Sequence, residues 1–207
     1  MTFDEIVKER NSCRTYLPVA ISDETIQKIV EAGRLAPSAK NKQPWKFVCV
    51  KTDFKNPNKS KKIASILSDY YIKNINNPEK MKGAGSVFAT SKILADCPAI
   101  IFVFEDSEEI DRNSVESISD VLSIGACVEH MVLKATELGL GSLWICDTIY
   151  VHKEIAEYIQ EELKNSGEEF VFDGDRLICA VAIGQRGEEK YARPRKALGD
   201  ILLTINN

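Results

Sequence analysis

The sequence predicts an α+β or mixed α/β domain, and three observations carry that expectation. Helical and extended periodicities alternate irregularly along the chain, a pattern unlike a helical bundle or a β-sandwich. Two short runs of branched and aromatic residues, over 46–51 and 99–104, read as strands. One long stretch over residues 117–137 mixes large and small apolar residues at helical spacing, as a core or subunit-interface helix does. A chain of 207 residues can bury a full core, and residues 1–207 are read as a single domain.

Taken in order, Phe3, Ile6 and Val7 place an apolar stripe on a first short helix that ends near Arg10–Arg14. Ser22 offers an N-cap to a second helix carrying Ile26, Ile29, Val30 and Gly33, which runs toward Pro37. Phe47, Val48 and Val50 favour extended structure. Residues 53–85 are rich in Lys, Asn and Ser and read as a variable, mobile covering excursion, within which Ile63, Ile66, Leu67 and Tyr70 support a helix. A helix over 86–95 precedes the apolar run 99–104, which reads as a central strand, and a charged connection follows at 106–113. In the long helix Val121, Leu122, Ile124, Gly125, Val128, Val132 and Ala135 widen the apolar face, and Gly139 marks its stop. Residues 141–146 return as a short strand or strand entry. Ile155 and Ile159 fit a helix, 161–175 a polar turn region, and 177–183 a last buried strand before Gly184.

Composition narrows the function classes. Hydrophobic residues make up 44% and charged residues 28%, and no apolar run is long enough to span a bilayer. The opening residues lack the basic head and apolar stretch of a secretory signal, so the cytoplasm is the expected compartment. Formal charge is -4 with Lys and Arg dispersed, which argues against a nucleic-acid or membrane partner. The six cysteines form no C-x-x-C pair and read as reduced core thiols; with only two histidines and no H-E-x-x-H, a zinc hydrolase has no support and no metal site is assigned.

The most informative stretch is residues 34–45, where a helix end, a polar loop restrained by Pro37 and Pro44, and Trp45 precede a strand. Ser38, Asn41 and Gln43 offer hydrogen-bonding groups close together; a ligand-binding loop and a plain strand-capping connection both satisfy this pattern. Three further constellations stand beside it. In Arg10-Asn-Ser12-Cys-Arg14, two guanidinium groups bracket a hydroxyl, an arrangement that can hold a phosphate and equally one that solvated arginines adopt. Arg193 and Arg195 flank a proline in a segment opened by Tyr191, and a solvated basic tail is the plain alternative. Gly139 and Gly141 permit close backbone approach ahead of Trp144, and a helix stop followed by a buried strand explains them as well.

Together these features resemble the FMN-dependent nitroreductase family. The residues that carry the resemblance are Arg10-x-Ser12-x-Arg14, the segment Ala36-Pro37-Ser38-Ala39-Lys40-Asn41-x-Gln43-Pro44-Trp45, residues 139–145 and Arg193-x-Arg195, in an order that spans nearly the whole chain. The resemblance implies a mixed α+β homodimer, with a central sheet flanked by helices and two FMN sites at the subunit interface. It implies that Arg10, Ser12, Arg14, Arg193 and Arg195 hold the ribityl phosphate, and that Pro37, Ser38, Ala39 and Asn41 approach the flavin from the companion subunit, with Gln43 ordering their loop. Leu143, Trp144, Ile145, Cys146 and Asp147 would lie beside the isoalloxazine, with backbone donors near N5 and O4 at Cys146 or Asp147. Lys92 stands where a basic residue near the other edge of the ring is expected, and as a surface lysine on the plain reading.

No Ser/His/Asp or other side-chain catalytic cluster is needed, because the flavin carries the redox chemistry. The implied activity moves electrons from NADH or NADPH through FMN to a small electron-poor acceptor: a nitroaromatic, a quinone or an activated alkene. The contrasting class is a non-catalytic flavin-binding, storage or redox-sensing protein. Tyr70 and Tyr71 either line an aromatic substrate channel or pack on a helix face.

Overall fold

The computed structural model describes residues 1–107, 113–168, 176–187 and 193–205. Its centre is a four-stranded sheet in the order β1-β2-β4-β3, formed by β1 (Trp45–Lys51), β2 (Ala99–Glu105), β3 (Gly141–Ile145) and β4 (Leu177–Gly184). All three strand pairings are antiparallel, and a parallel bridge from Ser12 to Ser142 gives the sheet its mixed character. The helices are α1 (Phe3–Glu9), α2 (Asp23–Arg34), α3 (Asn58–Asn74), α4 (Pro78–Met81), α5 (Val87–Ala95), α6 (Val115–Glu137) and α7 (His152–Asn165).

Strand β2 is buried along its whole length because helices cover both faces of the sheet, which explains an apolar run without alternation. Ile100, Phe102 and Phe104 face a core shared with α3, α5 and α7, whereas Ala99, Ile101 and Val103 face α2 and α6. On the second side α2 crosses α6 closely. A Cβ on Gly33 would lie 2.7 Å from Met131 Cγ and 2.9 Å from Cys127 Sγ, so the glycine is what permits that approach.

The predicted helix starts are met by local chemistry. Thr2 and Glu5 form a reciprocal capping box on α1, and Ser22 Oγ accepts from Thr25 N–H at 3.2 Å on α2. Thr25 thus takes the position at which a capping box would carry Glu or Gln. Gly139 ends α6 with φ 75°, and Leu140 N–H returns to Ala135 O at 2.9 Å, closing the helix with a left-handed cap.

Two readings change in detail. Helix α7 continues to Asn165, five residues into the region read as a polar turn, because Ser166 caps it by donating to Glu162 O; residues 169–175 of that region lie outside the described residues. Within the excursion 53–85, α3 buries Ile63 and Leu67 completely, so its centre is part of the core. The charged connection after β2 is described only at its two ends, with 108–112 outside the described residues.

Candidate flavin site

The segment 10–17 is laid against the end of the sheet. Arg10 leaves α1 in extended conformation, Cys13 N–H donates to Ser142 O at 2.9 Å, and Ser12 bridges Ser142 on β3. Further along, Leu17 N–H reaches Gln185 O and Gly187 N–H reaches Thr15 O at 2.8 Å, just past β4. The Arg-x-Ser-x-Arg motif and the strand leading to Cys146 and Asp147 are therefore brought side by side from distant parts of the sequence. Gly141 makes this possible: a Cβ there would meet Cys13 Sγ at 2.6 Å and Cys13 Cβ at 2.8 Å. We expect Gly141→Ala to cost about 1–3 kcal/mol by overpacking. Thermal melts should show the loss; an unchanged melting temperature would mean Cys13 yields freely and the close approach is dispensable.

Arg186 joins this cluster, although nothing in its own sequence pattern singles it out. Its Nη2 donates to Asn11 O at 3.4 Å, while its Nη1 is buried with no hydrogen-bond partner, as is Asn11 Oδ1. An unmatched guanidinium N–H beside Arg10 and Arg14 suits a phosphate far better than it suits a closed protein core. The donor set therefore fits an anionic phosphate group at this end of the sheet. Arg193 and Arg195 are described and exposed; Tyr191, which opens their segment, lies outside the described residues.

The 37–43 loop is anchored elsewhere, on the first half of α6. Ala39 N–H donates to Ser123 Oγ at 3.1 Å, Lys42 Nζ pairs with the fully buried Asp120 at 3.3 Å, and Gln43 N–H donates to Ser38 Oγ at 3.0 Å. These bonds hold Lys40, Asn41 and Gln43 at φ 53°, 55° and 52°, a left-handed conformation that costs non-glycine residues free energy. Gln43 Nε2 also reaches back to Asn41 O at 3.4 Å. Pro37, Asn41 and Gln43 stay exposed, and Ser38 and Ala39 half-buried. The anchors were not foreseen, yet they had a signal: Ser117, Asp120 and Ser123 form a buried polar stripe at i, i+3, i+6 in an otherwise apolar helix.

On β3, Leu143 and Ile145 point into the core with α3, α5 and α7, and Trp144 points to the opposite side, 40% exposed, near Gly125 of α6. Cys146 is exposed as a residue, but partial desolvation of its sulfur, together with the Asp147 carboxylate, raises its thiol above the ordinary range. It therefore stays protonated at neutral pH and offers no thiolate. The half-buried Asp147 carboxylate accepts from Ser86 Oγ at 2.8 Å and from Thr90 Oγ1. Lys92 Nζ lies 4.5 Å over the Phe88 ring, which itself stacks on Tyr71, while Tyr70 stacks on Tyr150. Both tyrosines thus pack against other rings. Among the described residues no group of His, Cys, Asp and Glu is arranged to hold a metal ion.

The sequence model of the Nitroreductase family matches residues 7–185. The chain belongs to the nitroreductase family. Among curated relatives, a nitroreductase-family protein of Archaeoglobus fulgidus, named for NADH dehydrogenase and NAD(P)H nitroreductase activity, is 28% identical over 159 residues, covering 77% of this chain and 74% of its own. The nitroreductase-like YdgI of Bacillus subtilis is 27% identical, over 96% of this chain and 95% of its own. A nitroreductase-like protein of Desulfovibrio desulfuricans, solved in complex with FMN, superposes with TM-score 0.62 at 25% identity, over 98% of this chain and 95% of its own. A BluB-like flavoprotein of Clostridium difficile superposes with TM-score 0.75 at 22% identity over the full length of both chains, a likeness of nitroreductase fold alone.

Proposed function

We propose that this nitroreductase-family protein is an FMN-dependent oxidoreductase that takes electrons from NADH or NADPH and delivers them to a small electron-poor acceptor, a nitroaromatic or a quinone. The observation that carries the reading is the union of Arg10, Ser12 and Arg14 with the first residues of β3 through the Ser12–Ser142 bridge, next to the unpaired Nη1 of Arg186. Arg10, Ser12 and Arg14, with Arg193 and Arg195, would hold the phosphate; the backbone of Cys146 and Asp147 would lie beside the redox-active ring. Bound flavin supplies the acceptance and release of electrons. The chain's own residues bind it, orient it and exclude water: charge-assisted bonds at the phosphate would fix one end, and the exposed Trp144 would pack near the other.

A homodimer belongs to the same reading. In one chain, α6 exposes Val115, Ile118 and Leu122 at 74%, 49% and 69%, spaced as one stripe, and the C-terminal segment exposes Leu198, Leu203 and Ile205 at 69%, 93% and 97%. A second copy would cover them. Its 37–43 loop, supplying Pro37, Ser38, Ala39 and Asn41, would then complete the companion's flavin site, since that loop is mounted on the same helix as the exposed stripe.

The deciding experiment is an anaerobic absorbance titration of the purified protein at the flavin bands, first with NADH and then with NADPH. Bleaching by either, followed by recovery on adding menadione or a nitroaromatic, is the expected result. Bound flavin that stays oxidised would assign the protein to flavin storage or sensing, and absence of flavin from an intact dimer would remove the reading altogether.

A further inference from the structure

The turn that follows β3, Asp147–Val151, is gripped by residues from one continuous stretch of chain, 70–90. Ser86 Oγ and Thr90 Oγ1 both donate to the Asp147 carboxylate, one to each oxygen. Tyr70 stacks on Tyr150 with centroids 5.8 Å apart, and Tyr150 Oη comes so near Gly83 that a Cβ there would lie 2.8 Å away. Gly83 takes φ 80°, and the short turn Ala84–Ser86 leads directly into α5. Ser86 and Thr90 are one helical turn apart and so face Asp147 together. Thr90 is buried, whereas Ser86 is exposed. A buried threonine hydroxyl committed to a carboxylate at a strand exit is more than a helix-face contact requires.

We infer that Asp147, clasped by Ser86 and Thr90, is a positioning residue that fixes the 146–147 backbone against the flavin and sets how readily the flavin is reduced. The inference rests on the FMN reading above. Two physical effects act together. The clasp holds the peptide groups at 146–147 in one orientation, so donors offered to the ring need not reorganise when it gains electrons. It also commits the carboxylate to two hydroxyl donors; left free, a negative charge next to a group that becomes more electron-rich opposes reduction. The Tyr70–Tyr150 stack ties the excursion 53–85 to the same turn, so that the excursion and the 146–147 backbone share one support.

The test compares wild type with Thr90→Val, Ser86→Ala, the double variant and Thr90→Ser. Three readouts are taken: the flavin midpoint potential by anaerobic dye equilibration, kcat and KM for NADH, and amide hydrogen exchange over 145–149 in flavin-free protein. In the double variant the potential is expected to move to more negative values. Its kcat should fall roughly ten- to a hundredfold with KM little changed, and exchange at 145–149 should speed up. Thr90→Ser, which keeps the hydroxyl, should behave as wild type. If Thr90→Val does not fold, Ser86→Ala at its exposed position carries the comparison. A flavin-loaded variant lacking both hydroxyls yet keeping the wild-type potential and kcat would overturn the clasp while leaving the FMN reading intact. A wild-type protein that retains no flavin would overturn both.

Discussion

With Arg14 and Arg195 both replaced by alanine, the protein should purify without FMN while keeping its fold. On the proposed reading each guanidinium would contribute a charge-assisted bond to phosphate, worth about 1.5–3 kcal/mol. Losing two costs about 3–6 kcal/mol, or roughly a hundred- to ten-thousandfold in Kd. Both side chains are exposed and neither belongs to a core cluster, so the flavin-free chain should lose no more than about 0.5 kcal/mol of stability. The two effects separate in a thermal melt. The flavin-free melting temperature should match wild type, whereas the rise produced by added FMN should vanish, because a ligand stabilises only through the state that binds it. Calorimetric titration with FMN gives the affinity directly. An affinity equal to wild type would remove these arginines from the phosphate site and return them to the surface.

Leu122→Glu is expected to split the proposed homodimer. In one chain Leu122 is 69% exposed on a helix in which Glu is well tolerated, so a monomer would change by about 0.5 kcal/mol or less. Across a two-fold interface the same substitution buries two unpaired carboxylates, each costing several kcal/mol. Sedimentation velocity should find monomer at concentrations where wild type is dimeric. FMN affinity should fall with it, since the companion's Ser38 and Asn41 are withdrawn. A variant that remains a dimer with full FMN affinity would move the interface away from α6, and a monomer that binds FMN normally would place the 37–43 loop outside the site.

Much of the fold was legible because its signals are local. Phe47, Val48 and Val50 favour extended backbone whatever surrounds them, and Ser22 caps α2 with a bond to a residue three positions on. Gly139 stops α6 by its own left-handed φ. The strand β2 was legible for a related reason: six consecutive apolar residues, 99–104, with no polar face leave only a central strand covered on both sides. The end of α7 was less so, since polar residues such as Glu161 and Lys164 fit a solvated helix face as well as a turn.

The candidate site divides along the same line. The motifs around Arg10, Ser38, Gly141 and Arg193 are compact patterns, each readable within a dozen residues, and the sequence alone determined which residue types are available for phosphate and ring contacts. It also determined the family, because four such patterns recur in one order. Only the tertiary structure decided which of them meet. Ser12 lies beside Ser142, Arg186 is turned onto Asn11 with an N–H to spare, Asp120 and Ser123 hold the strained loop, and Ser86 and Thr90 close on Asp147. These contacts join residues far apart in the chain, and they follow from how the helices cover the sheet. No window of sequence contains both partners, so periodicity and turn chemistry have nothing on which to act.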